Sequence, residues 1–171
     1  YHRLFDHGFA ATHGSSHMSD WPRPRTVIRK GNFPYKFKIV EDYVCESGWT
    51  LDQPFHSQWL EISTSGQIRV KANEGGYAWD GCTPKWSLLN LCIVGTPDGH
   101  LDYRTMQPYT YAASLVHDAL YQYLDSVPVA KEDIDRLFLH MLGDFKLRRI
   151  YYWFVRCCGG RGVRQRVVRR A

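Results

Sequence analysis

A chain of 171 residues is long enough for one compact domain with a sizeable core, and 44% hydrophobic with 15% aromatic content excludes a disordered polymer. No apolar run approaches the roughly 18 residues that a membrane-spanning helix needs, and no secretory signal pattern is visible. The net charge of +5 is uneven: eight Arg and no acid lie between Arg148 and Arg170. Such a stretch is a solvating tail or, alternatively, an electrostatic foot for nucleic acid or an anionic membrane surface.

Residues 1–17 read as a leader. Gly14-Ser-Ser-His-Met18 has the form of a cloning-site scar, and four of the eight His fall before Met18. The expected organisation is a leader at 1–17, one domain at 18–160 and a basic tail at 161–171. Asp20 to Arg25 is a Pro-broken, basic segment. Thr26–Ile28 and Tyr35–Val40 are expected strands around a Gly31-Asn32 turn, with Phe37 and Ile39 alternating with Lys36 and Lys38. Asp42–Cys45 extends that sheet. Gln58–Ser63 and Gln67–Lys71 alternate around Thr64-Ser-Gly66, which predicts a hairpin.

Glu74 to Pro84 is a loop. Its paired Gly75 and Gly76 permit unusual backbone angles, and Asp80-Gly81 is a turn signal. Asp80 there is either a turn residue or a carboxylate presented to a site. Lys85–Val94 is a short apolar helix or buried segment. Gly95 to Asp102 is a second loop, rich in Gly and carboxylates.

Tyr111–Gln122 predicts a helix, since Ala112, Ala113, Val116 and Leu120 recur at helical spacing with no Gly or Pro. His117 and Tyr121 are four apart and share a face; Asp118 lies about 100° around from His117. Val129–Leu142 predicts a second helix. Asp135 precedes Phe138 and Leu142 by three and seven, so it enters the buried side. His140 and Asp144 fall at the surface. Glu132 and Asp133 suit the N-terminal end of the helix dipole. Gly143 is a helix stop, and Phe145–Val155 predicts a third helix whose Tyr151–Phe154 run supplies core. Strands first and helices after imply an α+β fold: a small antiparallel sheet packed with a three-helix C-terminal half.

A neutral imidazole can take a proton from water when a partner fixes its tautomer, and Asp135 is placed to be that partner of His117. Asp118, Asp80 and loop carbonyls are the oxygen ligands that a hard cation prefers. The same residues serve equally as a buried polar network tying helices together. The five Cys (Cys45, Cys82, Cys92, Cys157, Cys158) are odd in number and lack a C-x-x-C pair, so free thiols are expected, not a zinc site or the disulfide framework of a secreted protein.

Gly76-Tyr-Ala-Trp-Asp80-Gly-Cys-Thr83-Pro84, Ala112-Ala-Ser-Leu-Val-His117-Asp118-Ala-Leu-Tyr121 and Asp135-Arg-Leu-Phe138-Leu-His-Met141 together resemble a family of small phage and prophage proteins, the domain-of-unknown-function family 1353. The resemblance spans about residues 70 to 160. It implies a phage or prophage origin, a location in the bacterial host cytoplasm or the virion, and a phage structural or host protein as partner. It implies no activity. His117-Asp118-x-x-Tyr121 with Asp135 from a neighbouring helix is also similar to the active site of phospholipase A2. That similarity implies His117 as general base, Asp135 as its orienting carboxylate, Tyr121 as support and Asp118 as a calcium ligand. It further implies a lipid or ester substrate. Gly95 and Gly99 lie upstream of His117, as that family's calcium-binding loop does, without the loop signature. In the phage-family motif, Thr83 offers the hydroxyl of a Ser or Thr position.

Overall fold

Alternation of apolar and polar residues builds the N-terminal half. The computed structural model describes residues 21–28, 37–79, 101–102, 107–108 and 110–158. Among the described residues nine short strands come first: β1 (Thr26–Ile28), β2 (Phe37–Ile39), β3 (Tyr43–Glu46), β4 (Phe55–His56), β5 (Leu60–Ile62), β6 (Gln67–Val70), β7 (Ala78–Trp79), β8 (Leu101–Asp102) and β9 (Gln107–Pro108). Three helices follow among them: α1 (Tyr111–Gln122), α2 (Lys131–Met141) and α3 (Arg148–Cys158). The fold is α+β, as expected from the order of the patterns.

The expected single sheet is two. One has strand order β1-β2-β7 and the other β3-β6-β5-β4, while β8 and β9 form a separate ladder; all pairs are antiparallel. Tyr43–Glu46 pairs with β6, not with β2, because β7 takes the free edge of β2. Gly76 makes that approach possible. Its φ is 70°, and a Cβ there would meet the carbonyl oxygen of Ile39. The adjoining Ile39 N–H donates to the Tyr77 carbonyl at 3.0 Å.

The hairpin expected at 58–71 is β5 and β6. Leu60 faces Val70 and Ile62 faces Ile68, and all four are fully buried. Burying each such side chain contributes about 1.5–3 kcal/mol. Glu61 and Arg69 fall on the outer face, as period-two alternation demands. The turn depends on Gly66, whose φ is 83° and whose missing Cβ makes room for the Trp49 backbone.

α1 runs between these sheets and α2. Nine of its twelve residues are buried, so it is a central helix with little solvent face. Aromatic contacts seat it on the first sheet: Tyr111 lies 4.8 Å from Phe37 and 5.3 Å from Trp79, ring centre to ring centre. The Trp79 Nε1–H donates to Ser114 Oγ at 3.2 Å, and Thr26 Oγ1 hydrogen-bonds the Tyr111 hydroxyl. The Trp59 N–H, in the bend just before β5, donates to the Tyr123 hydroxyl just beyond α1 at 3.3 Å. α2 packs on α1, and α3 packs on α2.

α3 begins at Arg148, three residues later than expected. Phe145 is buried, but in a turn whose N–H donates to the Leu142 carbonyl. Gly143, with φ of 49°, follows the end of α2 as expected. Cys45 and Cys157 are free; burial, chiefly, with a smaller push from Glu46, raises the Cys45 thiol to about 12, so it stays protonated and inert. No helix among the described residues is long and apolar enough to cross a membrane.

Candidate active site

Helical spacing brings the site together. His117 and Tyr121 sit one turn apart on α1, with ring centres 4.0 Å apart. Asp135 enters from α2, and Phe138, one turn further on, lies 4.9 Å from the imidazole and walls it in. Asp135 is wholly buried and His117 keeps only 7% of its surface.

A buried carboxylate is costly unless it is bonded on every side. Asp135 is. Its Oδ1 accepts from the Tyr121 hydroxyl and lies 3.2 Å from His117 Nε2. Its Oδ2 accepts from Lys131 Nζ at 2.8 Å and has Arg156 Nη1 at 3.7 Å. Lys131 Nζ also donates to the Val155 and Arg156 carbonyls, at 3.2 Å each. The Tyr121 hydroxyl lies 3.5 Å from the Val155 carbonyl. Arg156 has a second acid, Glu132, at 3.8 Å. One carboxylate thus gathers side chains from all three helices and ties the end of α3 to α1 and α2.

These contacts set the charge states. Burial pushes the Asp135 acid up, but the bonds from His117, Lys131 and Tyr121 outweigh it and hold the group below the usual carboxylate value. Burial pushes the His117 imidazole down, and nearby Lys131 adds to this, more than the bonded Asp135 lifts it. The ring is therefore neutral at pH 7. Burial, then the bond to Asp135, pushes the Tyr121 phenol far above its ordinary value, so it remains a donor. An ionised carboxylate can only accept, so the Nε2 side of His117 carries the proton. Nδ1 is left as the basic nitrogen, and among the described residues no hydrogen bond reaches it.

The residues expected to act together, His117, Tyr121 and Asp135, are in contact. Asp118 lies beside them on α1 and is half-buried. Asp80, Thr83, Gly95 and Gly99 lie outside the described residues. His140 and Asp144 are exposed, as expected. Lys131 and Arg156 are additions. Lys131 stands four before Asp135, a spacing that by itself signals a helical ion pair. Arg156 has no such signal, because its contact depends on where α3 packs.

Calcium takes about six to eight oxygen ligands. Among the described residues no group of three or more His, Cys, Asp or Glu side chains could hold a metal ion. Asp118 is the one expected ligand within them. These residues do not by themselves fit the ion, and no step below runs through it. Comparison with family models, curated proteins and solved structures finds no match to this chain.

Proposed function

We propose that this is a phage- or prophage-type accessory protein whose His117–Asp135 pair activates water to cleave an ester. The carrying observation is the fixed imidazole: Asp135 Oδ1 sits 3.2 Å from Nε2, which leaves Nδ1 basic on a neutral ring. Phage origin rests on the three motif blocks around Asp80, His117 and Asp135. In the reaction, Nδ1 takes a proton from water as the water oxygen attacks the ester carbonyl. The imidazolium that forms faces the Asp135 carboxylate, which stabilises its charge. Collapse of the tetrahedral intermediate breaks the C–O bond, and the departing alkoxide takes the proton back from Nδ1–H. Tyr121 positions Asp135, and the bonds from His117, Lys131 and Tyr121 keep it ionised.

The test is turnover of short-chain aryl esters and of phospholipid in mixed micelles, with calcium and with chelator. Wild type turns over, and His117→Gln loses about 10²–10⁴-fold with an unchanged circular dichroism spectrum. No turnover by wild type on either substrate, or equal turnover by the variant, overturns the reading. Loss of turnover in chelator alone assigns the metal role implied for Asp118.

A second reading is favoured by a different observation: Asp135 is wholly buried and bonded from three helices. On that reading the chain is a non-enzymatic virion, assembly or host-factor-binding protein, and the network is a clamp. It predicts stability losses in Asp135 variants of a wild type that turns over no ester.

A further inference from the structure

α3 carries a solvent face that the site does not use. Tyr151 is buried and Val155 half-buried, and these are the positions packed inward. At about 100° per residue the opposite side presents Arg149, Ile150, Trp153 and Cys157 as neighbours. Ile150 is 45% exposed and Trp153 59%, two of the three large hydrophobic side chains that stand out in solvent among the described residues. The Phe154 ring, half-buried, leans edge-on against Trp153 at 5.3 Å. The sequence around this strip is basic. From Phe145 to Ala171 the chain has nine Lys or Arg and no Asp or Glu. Arg156 is engaged with Asp135 and Glu132, while Arg148 and Arg149 are exposed on α3 itself.

From this face we propose that α3 docks on an anionic lipid surface. An indole sits well at headgroup depth, with an apolar body toward the acyl chains and an N–H toward water. Ile150 adds an aliphatic contact that base stacking does not need, which favours lipid over nucleic acid. Arg stems lie along apolar surface while their heads reach phosphate. The acid-free run to Ala171 supplies the long-range attraction to anionic headgroups. Two copies packed through this face would bring Arg149 against its own kind, which disfavours self-association. The inference goes beyond ester cleavage and is independent of it, because binding is read without turnover.

The test is co-sedimentation of the full chain with vesicles of phosphatidylcholine alone, or mixed equally with phosphatidylglycerol. A single-stranded oligonucleotide is tested in parallel by anisotropy. Wild type binds the anionic vesicles and leaves the neutral ones largely unbound. Trp153→Ala weakens anionic binding on the order of tenfold, and Arg149→Glu by at least about fivefold. Both positions are solvent-exposed, so both variants keep the fold, which circular dichroism checks. The proposal is overturned by failure to sediment with anionic vesicles, or by binding indifferent to both substitutions. Binding to the oligonucleotide that needs Trp153, without vesicle binding, overturns it in favour of a stacking platform. A change of oligomeric state in Trp153→Ala with vesicle binding intact overturns it in favour of self-association.

Discussion

Asp135→Asn separates the two jobs of the carboxylate. The amide has the same shape but one acceptor and one NH2 in place of two acceptors. With its oxygen toward His117 and Tyr121, its NH2 meets Lys131 Nζ at the position now 2.8 Å away, donor against donor. Flipped, its oxygen accepts from Lys131 and its NH2 donates to His117 Nε2. That orientation satisfies the bonds only after the imidazole moves its proton to Nδ1 and Tyr121 turns its O–H from this site toward the Val155 carbonyl. The side chains of Lys131 and Arg156 are 31% and 36% exposed, so water screens much of the lost charge pairing. The stability cost is therefore about 1–3 kcal/mol, the range for hydrogen bonds to charged groups, not the larger cost of orphaning a buried ion. At about 2–4 °C per kcal/mol for a chain of this size, Tm falls by about 2–12 °C. Asp135→Ala has no acceptor for any partner and leaves a cavity besides, so it costs more than Asp135→Asn. Activity falls much further than stability: a wrong tautomer behind an intact geometry costs on the order of 10⁴ in kcat. Urea and thermal unfolding give the first quantity and ester turnover the second. Asn and Ala variants both within about 0.5 kcal/mol of wild type, the scale of an exposed pair, would refute the reasoning.

Acid should destabilise the fold in two stages. The folded His117 titrates below its ordinary value of 6.5, so the unfolded chain binds more protons and stability falls as pH drops below about 6.5. The folded Asp135 also titrates below its ordinary 3.8, so its contribution is present above about 3.8 and lost as pH falls through the folded value. Melting curves across that range, compared with His117→Gln, isolate the first stage; an unchanged slope in the variant contradicts it. Gly66→Ala should cost about 1–3 kcal/mol, because it forces φ of 83° on a residue with a Cβ and drives that Cβ into the Trp49 backbone. Chemical denaturation of the variant measures this, and a loss under about 0.5 kcal/mol would show that the turn rearranges freely. Ester hydrolysis should rise with pH on a limb whose midpoint lies below the ordinary histidine value of 6.5, as the neutral base is populated.

The helix α1 was legible to the residue, because nothing between Tyr111 and Gln122 interrupts helical spacing. Its near-complete burial was not legible. Periodicity identifies one apolar face, whereas two sheets and α2 cover this helix from several sides. The hairpin of β5 and β6 was readable from alternation around Gly66, but alternation says nothing of which strand lies next. That is why β3 was expected in the wrong sheet. The pairing of His117 with Asp135 was readable because each residue sits on the apolar side of its own helix. Lys131 was available as an i, i+4 partner and was passed over. Arg156 follows Asp135 by 21 positions and meets it only through the packing of α3 on α2. Phe145 looked like a helix residue because burial and helicity share one pattern; it is buried in a turn.

The central claim is that burial holds His117 neutral while Asp135 fixes its proton on Nε2, which leaves Nδ1 basic. Imidazole ¹⁵N resonances of the labelled protein report this directly, and His117→Gln assigns them. The account predicts at pH 7 a neutral ring with Nε2 protonated and Nδ1 bare, titrating below 6.5. A neutral ring protonated at Nδ1, or an imidazolium that persists to pH 7, would contradict it.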